Sequence, residues 1–151
     1  MKKEDVTFFL DIADQFKNKS KCVSYQVAAI AVKDGRIIFS GINGTAPGST
    51  NCREVFPTYD KNEHREIHHK WSLIHEIHAE QNLIAGAAKA GIKLEGVDVF
   101  LTVQPCTDCM KLLIAAGIKR IYYRGSYDKA DPDSIKYADE CRVVVIKEDD
   151  L

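Results

Sequence analysis

The stretch HAEQNLIAGAAKAGIKLEGVDVFLTVQPCTDCMKLLIAAGIKRIYYR, residues 78–124, decides the fold. Its first part, about 78–90, reads as a helix stopped near Gly91, and Val97–Val103 reads as a strand. The pair then repeats. Thr107–Ala116 reads as a helix stopped at Gly117, a residue suited to the left-handed backbone at a helix end, and Ile118–Arg124 as the next strand. Helices alternating with strands imply parallel pairing through right-handed crossovers.

On the N-terminal side, Val6, Phe9, Leu10, Ala13 and Phe16 recur at helical spacing, which makes residues 4–17 an amphipathic helix. Tyr25–Val32 and Arg36–Ile42 are apolar and β-branched, and Asp34-Gly35 between them is a two-residue hairpin signal. The long stretch Asn43–Ile77 has no sustained period. It begins with turn chemistry (Gly44, Pro47, Gly48, Ser49, Thr50, Asn51) and continues with the charged run Lys61–Lys70, so it reads as an excursion without helix or sheet. On the C-terminal side, Asp131-Pro132 opens a short helix and Arg142–Lys147 is the last strand. The expectation is one α/β domain over residues 1–151: a three-layer α/β/α arrangement, with a mixed five-stranded sheet, helices on both faces, and an insertion at 43–77.

Composition narrows the function classes. With 21 basic and 22 acidic residues the formal net charge is −1, which gives no field for nucleic acid or an anionic membrane. Met1-Lys2-Lys3-Glu4-Asp5 leads into an amphipathic segment, not a signal sequence, and no run approaches the ~18 apolar residues of a membrane span. Five cysteines, an odd number, argue for thiols and metal ligands in a reducing cytoplasm over a disulfide framework.

His78-Ala79-Glu80, followed by Pro105-Cys106-Thr107-Asp108-Cys109, carries the chemistry. One imidazole and two thiolates can hold Zn²⁺ and leave its fourth position to water, as catalytic zinc sites do. Zinc lowers the pKa of such a water toward ~7, and Glu80, surplus to the ligand set, is free to move protons. Both halves of the motif open helices. Cys106 and Cys109, three apart, share one helix face, and the helix N-terminus favours thiolate. His78 and Glu80, two apart, diverge on a regular helix, so they converge only where that helix is just beginning.

The H-x-E and P-C-x-x-C segments are the signature of zinc-dependent nucleobase deaminases, and nearly the whole chain resembles the dCMP deaminases of the cytidine deaminase fold. Gly41-Ile42-Asn43-Gly44 matches that family's Gly-x-Asn-Gly loop, Glu76–Asn82 its helix-opening segment, and Ser126-Tyr127-Asp128 the loop after its fourth strand. The resemblance implies hydrolytic deamination of dCMP to dUMP and ammonia, supplying dUMP for thymidylate synthesis. Glu80 would deliver protons to N3 and to the departing amine; Asn43 and Tyr127 would contact the nucleotide. Competing readings are another deaminase substrate (cytidine, dCTP, adenosine in tRNA) or a zinc-binding module without turnover. Lys21, Arg53, Arg124 and Lys129 are candidates for the phosphate.

The resemblance also implies a second zinc on Cys22, Cys52, His68 and Glu76. His68 and Glu76 lie eight residues apart, ~12 Å along a continuous helix, so they share a metal only if the chain bends between them. His64 and His68, four apart on one helix face, are the alternative pair in this segment; His69 and His75 read as solvated or packed, and Cys141 as packed in the core. Family members are homohexamers activated by dCTP and inhibited by dTTP. Gly44, Gly48 and Asn51 are candidate effector contacts, because glycines admit a ligand close to the backbone. Ala28, Ile42, Gly86 and Lys89 depart from the family pattern, the last two at helix positions expected to face a subunit contact.

Overall fold

The computed structural model describes residues 1–151. The strands are β1 (Ala28–Lys33), β2 (Arg36–Ile42), β3 (Gly44–Thr45), β4 (Glu76–Ile77), β5 (Asp98–Val103), β6 (Arg120–Gly125) and β7 (Val144–Lys147); the helices are α1 (Lys3–Lys17), α2 (Cys52–Val55), α3 (Lys61–His75), α4 (Ala79–Ala90), α5 (Thr107–Ala115) and α6 (Asp133–Glu140). Five strands form one mixed sheet in the order β2-β1-β5-β6-β7. β1 is antiparallel to both β2 and β5, whereas β5, β6 and β7 run parallel. The alternating half of the chain thus builds the parallel half of the sheet, as its pattern requires. The β1–β2 turn has positive φ at both Asp34 (51°) and Gly35 (74°), a backbone that matches strand twist and explains the Asp-Gly pair.

Alternate residues of the same strands feed two cores. On one face Ile30, Val32, Phe100 and Tyr122 pack under α1 through Val6, Phe9, Leu10 and Ala13. The Phe9 and Phe100 rings lie 5.0 Å apart, and Phe100 stacks on Tyr122 at 5.1 Å. On the other face Ala29, Ala31, Val99, Leu101, Ile121 and Tyr123 pack against Ala79, Leu83 and Ala87 of α4, Met110 and Leu113 of α5, and Ala138 of α6. β5 is buried along its whole length, because helices cover it on both sides.

Several boundaries differ from the sequence reading, each for a local reason. β1 begins at Ala28, not Tyr25, because the Asn43 side chain takes up Val27 N–H and Tyr25 C=O and holds residues 25–27 as a loop. β7 begins at Val144, since Arg142 adopts φ 62° where the chain turns out of α6. The 43–77 stretch is not free of helix and sheet: it holds α2, α3 and the short β3–β4 ladder, in which Gly44 pairs with Ile77 and Thr45 with Glu76. α3 shows little periodicity because His68 is its one buried residue, while Ile67, Leu73 and Ile74 are 60%, 73% and 81% exposed. Its N-terminus is capped by Asp60, whose carboxylate accepts from Asn62 N–H (2.7 Å) and Glu63 N–H (3.2 Å). Cys141 does not pack in the core. It is exposed at the C-cap of α6.

Arg124, at the end of β6, ties the termini of the chain together. It donates to Glu148 Oε2 (2.5 Å) and Oε1 (2.8 Å), to Asp11 (2.8 Å) and to Asp14. The Arg124 hydrogen bond lowers the pKa of Glu148 against the effect of burial. Burial alone would raise Asp14, but Lys17 and Arg124 together pull it down. Both folded carboxyls therefore titrate below their unfolded values. The stability they contribute is present above the unfolded carboxylate range and is lost as pH falls through the folded values. Arg124→Met is expected to cost about 1–3 kcal/mol at pH 7, and urea unfolding should show this difference shrinking as pH falls below about 4. A difference that persists undiminished at pH 3 would mean that packing, not charge, accounts for it.

Candidate active site

The N-termini of α4 and α5 meet beside the end of β2 and bring the two halves of the motif together. His78 is the N-cap of α4, with extended φ/ψ of −65°/154°, and its N–H donates to Gln81 Oε1 at 2.8 Å. Glu80 follows in the first turn. The extended cap lets two residues that would diverge on a helix serve one site. Cys106 likewise caps α5 in an extended conformation (−67°/168°), and Cys109 lies one turn in.

His78 Nδ1 is 3.7 Å from Cys106 Sγ and 3.4 Å from Cys109 Sγ. Zinc bonds of about 2.3 Å to sulfur and about 2.0 Å to nitrogen, at tetrahedral angles, place sulfur and nitrogen about 3.5 Å apart. The donor set therefore fits zinc. Three ligands are supplied at a place where His78 is exposed, which would leave a fourth position to water when zinc is bound, while Glu80 is only 4% exposed.

The electrostatics match this arrangement. The Cys106 thiol is pushed down to about 4 by the hydrogen bond from Cys109 and, against the cost of burial, by His78. Cys109 moves up for the complementary reason, the anion beside it and then its own burial. His78 is raised by its hydrogen bond to Cys106, which outweighs desolvation. Burial raises Glu80, opposed by Cys109 and the His78 charge, and this favours a carboxyl that can hold a proton. Tyr127, in the loop after β6, is raised by burial and then by Cys106 and Cys109, which places its phenol near these two sulfurs.

Backbone packing fixes where α4 starts. A Cβ on Gly41 would lie 2.3 Å from Ala79 C=O and 2.5 Å from Leu83 N, so β2 can approach this helix only through a glycine. Asn82 Nδ2 completes the join by donating to Ile42 C=O at 2.8 Å. Gly41→Ala is expected to push the start of α4 away, costing about 1–3 kcal/mol of stability. It should lower turnover about 100-fold, the effect of a roughly 1 Å misplacement of catalytic groups. A variant with wild-type turnover would show that the contact yields elsewhere. Gly86 packs over the Phe39 ring, with a Cβ position 2.6 Å from Cε1, so this departure serves the β2–α4 contact; Lys89 is exposed.

A second group of ligating side chains gathers Cys22, Cys52, His68 and Glu76, whose donor atoms lie within 4.8 Å of one another. His68 Nε2 is 3.2 Å from Cys52 Sγ, 3.8 Å from Cys22 Sγ and 3.0 Å from Glu76 Oε1. The bend that His68 and Glu76 require is present: α3 ends at His75, and Glu76 is already extended in β4. His64 is not the partner of His68. Its Nδ1 accepts Asp60 N–H at 2.7 Å, and its ring lies near Tyr59. His75 stacks on Trp71 at 4.8 Å, and Phe56, Tyr59 and Trp71 surround His68. These four donors, all of types that bind zinc, would fill its four positions and leave none for water, as in structural sites.

The remaining candidates are placed as follows. Asn43 follows β2 with its side chain engaged: Oδ1 accepts from Ser20 Oγ (2.7 Å) and Val27 N–H (2.9 Å), and Nδ2 donates to Tyr25 C=O (2.7 Å). One Nδ2 hydrogen is left, so toward a ligand this side chain is a donor only. Gly44 lies in the β3–β4 ladder, Asn51 caps α2 by accepting Glu54 N–H at 3.1 Å, and Gly48 stands at φ 87° with open space beside it. Arg124 is committed to three carboxylates and is not available for a phosphate; Lys21, Arg53 and Lys129 are exposed. Asn82 lies within the Glu76–Asn82 segment that resembles the family, whereas Ser20, a single polar residue in a loop, gives no signal in sequence because it carries no spacing pattern.

Residues 3–124 match the family model described as the cytidine and deoxycytidylate deaminase zinc-binding region. The chain belongs to this family. It is 36% identical over 152 residues to the deoxycytidylate deaminase of Enterobacteria phage T2, covering 82% of this chain and 81% of that protein. The crystal structure of dCMP deaminase from cyanophage S-TIM5, in complex with dCMP and dUMP, superposes with a TM-score of 0.78 at 34% identity over 97% of this chain and 98% of that one. A deaminase/reductase from Thermotoga maritima, at 22% identity and a TM-score of 0.66 over 97% of this chain and 37% of that one, shares the fold.

Proposed function

We propose that this protein deaminates dCMP hydrolytically, giving dUMP and ammonia. The observation that carries the reading is the convergence of His78, Cys106 and Cys109 beside the buried carboxyl of Glu80, in a chain similar along its whole length to a protein crystallised with dCMP and dUMP. His78, Cys106 and Cys109 would hold one zinc, which when bound acidifies a water so that it can attack near neutral pH. Glu80 takes a proton from the attacking water, gives it to N3 of the cytosine ring, and then moves a proton to the amine that leaves C4. Asn43 offers its one free N–H to a nucleotide oxygen, and Tyr127 covers the base or sugar.

The finer reading extends the same logic. A second zinc on Cys22, Cys52, His68 and Glu76 would be structural. Nucleotide control, dCTP activating and dTTP inhibiting, would act at the Gly44–Asn51 loop, where Gly48 stands at a turn with open space beside it. The exposed Ile67, Leu73 and Ile74 of α3 support assembly into a homo-oligomer, for which we propose a hexamer. The dUMP product would feed thymidylate synthesis in a reducing cytoplasm, consistent with five free thiols.

The test is an ammonia-release assay on cytidine, dCMP and dCTP, each with and without dTTP. The expected result is highest kcat/KM on dCMP, with inhibition by dTTP. Preference for unphosphorylated cytidine, or no release from any of the three, would overturn the assignment.

A further inference from the structure

Ser20 lies in the loop after α1 and is 1% exposed. Its hydroxyl joins the backbone of Cys22, one of the four clustered ligands, to Asn43. Oγ donates toward Asn43 Oδ1 (2.7 Å) and Asn43 C=O (2.9 Å), and it accepts the Cys22 N–H at 3.3 Å. Cys22 is a member of the four-residue cluster, and Asn43 directly follows Gly41 and Ile42, which meet the first turn of α4 at Ala79 and Asn82. The link is reinforced by the chain itself, since Glu76 of the cluster, Ile77 of the β3–β4 ladder and His78 of the catalytic centre are consecutive. Asn43 N–H also donates to Val27 C=O at 3.2 Å, so the loop 20–27 wraps this one asparagine from several sides.

The bonding capacity shows what the serine contributes. Val27 and Tyr25 fix which end of the Asn43 amide faces the loop, but both act from the β1 side. Ser20 is the contact that approaches from the Cys22 side, and its hydrogen serves two Asn43 oxygens at once. Without it both oxygens lose a partner in a part-buried setting, and the amide is held only by Val27 and Tyr25 from the β1 side, so its orientation loosens.

We propose that Ser20 is a positioning residue: it holds Asn43 in the orientation that presents its one free N–H to the nucleotide, and it makes that orientation depend on the Cys22 cluster. This rests on the reading of Asn43 as a nucleotide contact. The hydroxyl touches neither substrate nor the catalytic ligands, so its effect should appear in substrate binding and not in the chemical step.

Steady-state kinetics on dCMP, zinc content and side-chain amide NMR of Asn43 should be compared for wild type, Ser20→Ala and Ser20→Thr. Ser20→Ala is expected to raise KM about tenfold, the loss of one hydrogen bond's worth of positioning. Turnover number and zinc content should stay at wild-type values, and the Asn43 Nδ2 resonances should shift. Ser20→Thr, which restores a hydroxyl, should bring both KM and the resonances back toward wild type. The proposal is overturned if KM is unchanged in Ser20→Ala. It is equally overturned if turnover, zinc and folded protein fall together and threonine does no better than alanine. Should wild type fail to deaminate dCMP, the functional reading fails separately. The Asn43 resonances then decide the role of Ser20: a shift in alanine reversed in threonine supports it, and no shift overturns it.

Discussion

Glu80→Gln is expected to leave the protein folded and zinc-loaded while lowering turnover of dCMP by about 10³-fold, within the range of a lost general acid–base. Glu80 is 4% exposed in the first turn of α4, beside His78 but outside the three-ligand set. Glutamine keeps the volume and the hydrogen-bonding oxygen, so packing against the helix start is preserved. What it cannot do is carry a proton from water to N3 and onward to the amine. Burial raises the Glu80 pKa, which suits a group that must both take up and release a proton, and glutamine can do neither. The measurement is kcat on dCMP alongside zinc per chain. A zinc-replete Glu80→Gln enzyme with wild-type turnover would falsify the assignment of proton transfer to this residue. Loss of zinc from the variant would instead show that Glu80 helps to hold the metal.

How far the sequence could be read depended on what each segment uses to hold itself together. The elements from His78 onward bury apolar faces in one sheet, and burial leaves a periodic trace; β5, α4 and α5 were legible for that reason. The gathering of His78, Cys106 and Cys109 is legible because metal chemistry constrains residue type and spacing at once. The expectation that His78 and Glu80 must lie where a helix begins is met by the extended N-cap at His78. α3 was hidden because it is anchored by His68 and an aromatic cluster and leaves Ile67, Leu73 and Ile74 exposed, so its apolar residues do not mark its buried face. Arg124 shows a different limit. A basic residue near a site loop suggests a phosphate, and only three dimensions reveal that Asp11, Asp14 and Glu148 already surround it. Asn43 was found through the family's motif, but its engagement with Ser20, Tyr25 and Val27 reduces its offer to a single donor.

Protein purified without chelator is expected to carry two zinc ions per chain, and Cys52→Ala one. Cys52 and Cys22 are buried, and desolvation pushes the Cys52 thiol up to about 12. Without metal the cluster would bury neutral thiols against Glu76 and His68, an arrangement with little binding energy of its own. Metal converts it, because thiolate ligands and zinc neutralise one another in the buried space, and the proton release makes zinc affinity fall as pH falls. Such binding energy is folding energy for the segment it ties. Here that segment is 43–77: α2 carries Cys52, α3 carries His68 and β4 carries Glu76, and beyond the aromatic rings around His68 the only buried residues of α2 and α3 are Cys52 and His68 themselves. Cys52→Ala leaves three ligands and a small cavity, so several kcal/mol of local stability should be lost, a fraction of the roughly 10–16 kcal/mol that structural zinc supplies to small peptides. Limited proteolysis should then cut within 45–75 much faster than in wild type. Zinc at His78, Cys106 and Cys109 should persist, since its ligands sit on α4 and α5, which the sheet holds through Leu83, Met110 and Leu113. Some deamination should survive, with KM raised because Glu76 and Cys22 no longer brace the segments leading to His78 and Asn43. A wild-type count of one zinc, unchanged in Cys52→Ala and with no new cleavage, would leave this cluster as packed thiols around a His68–Glu76 hydrogen bond.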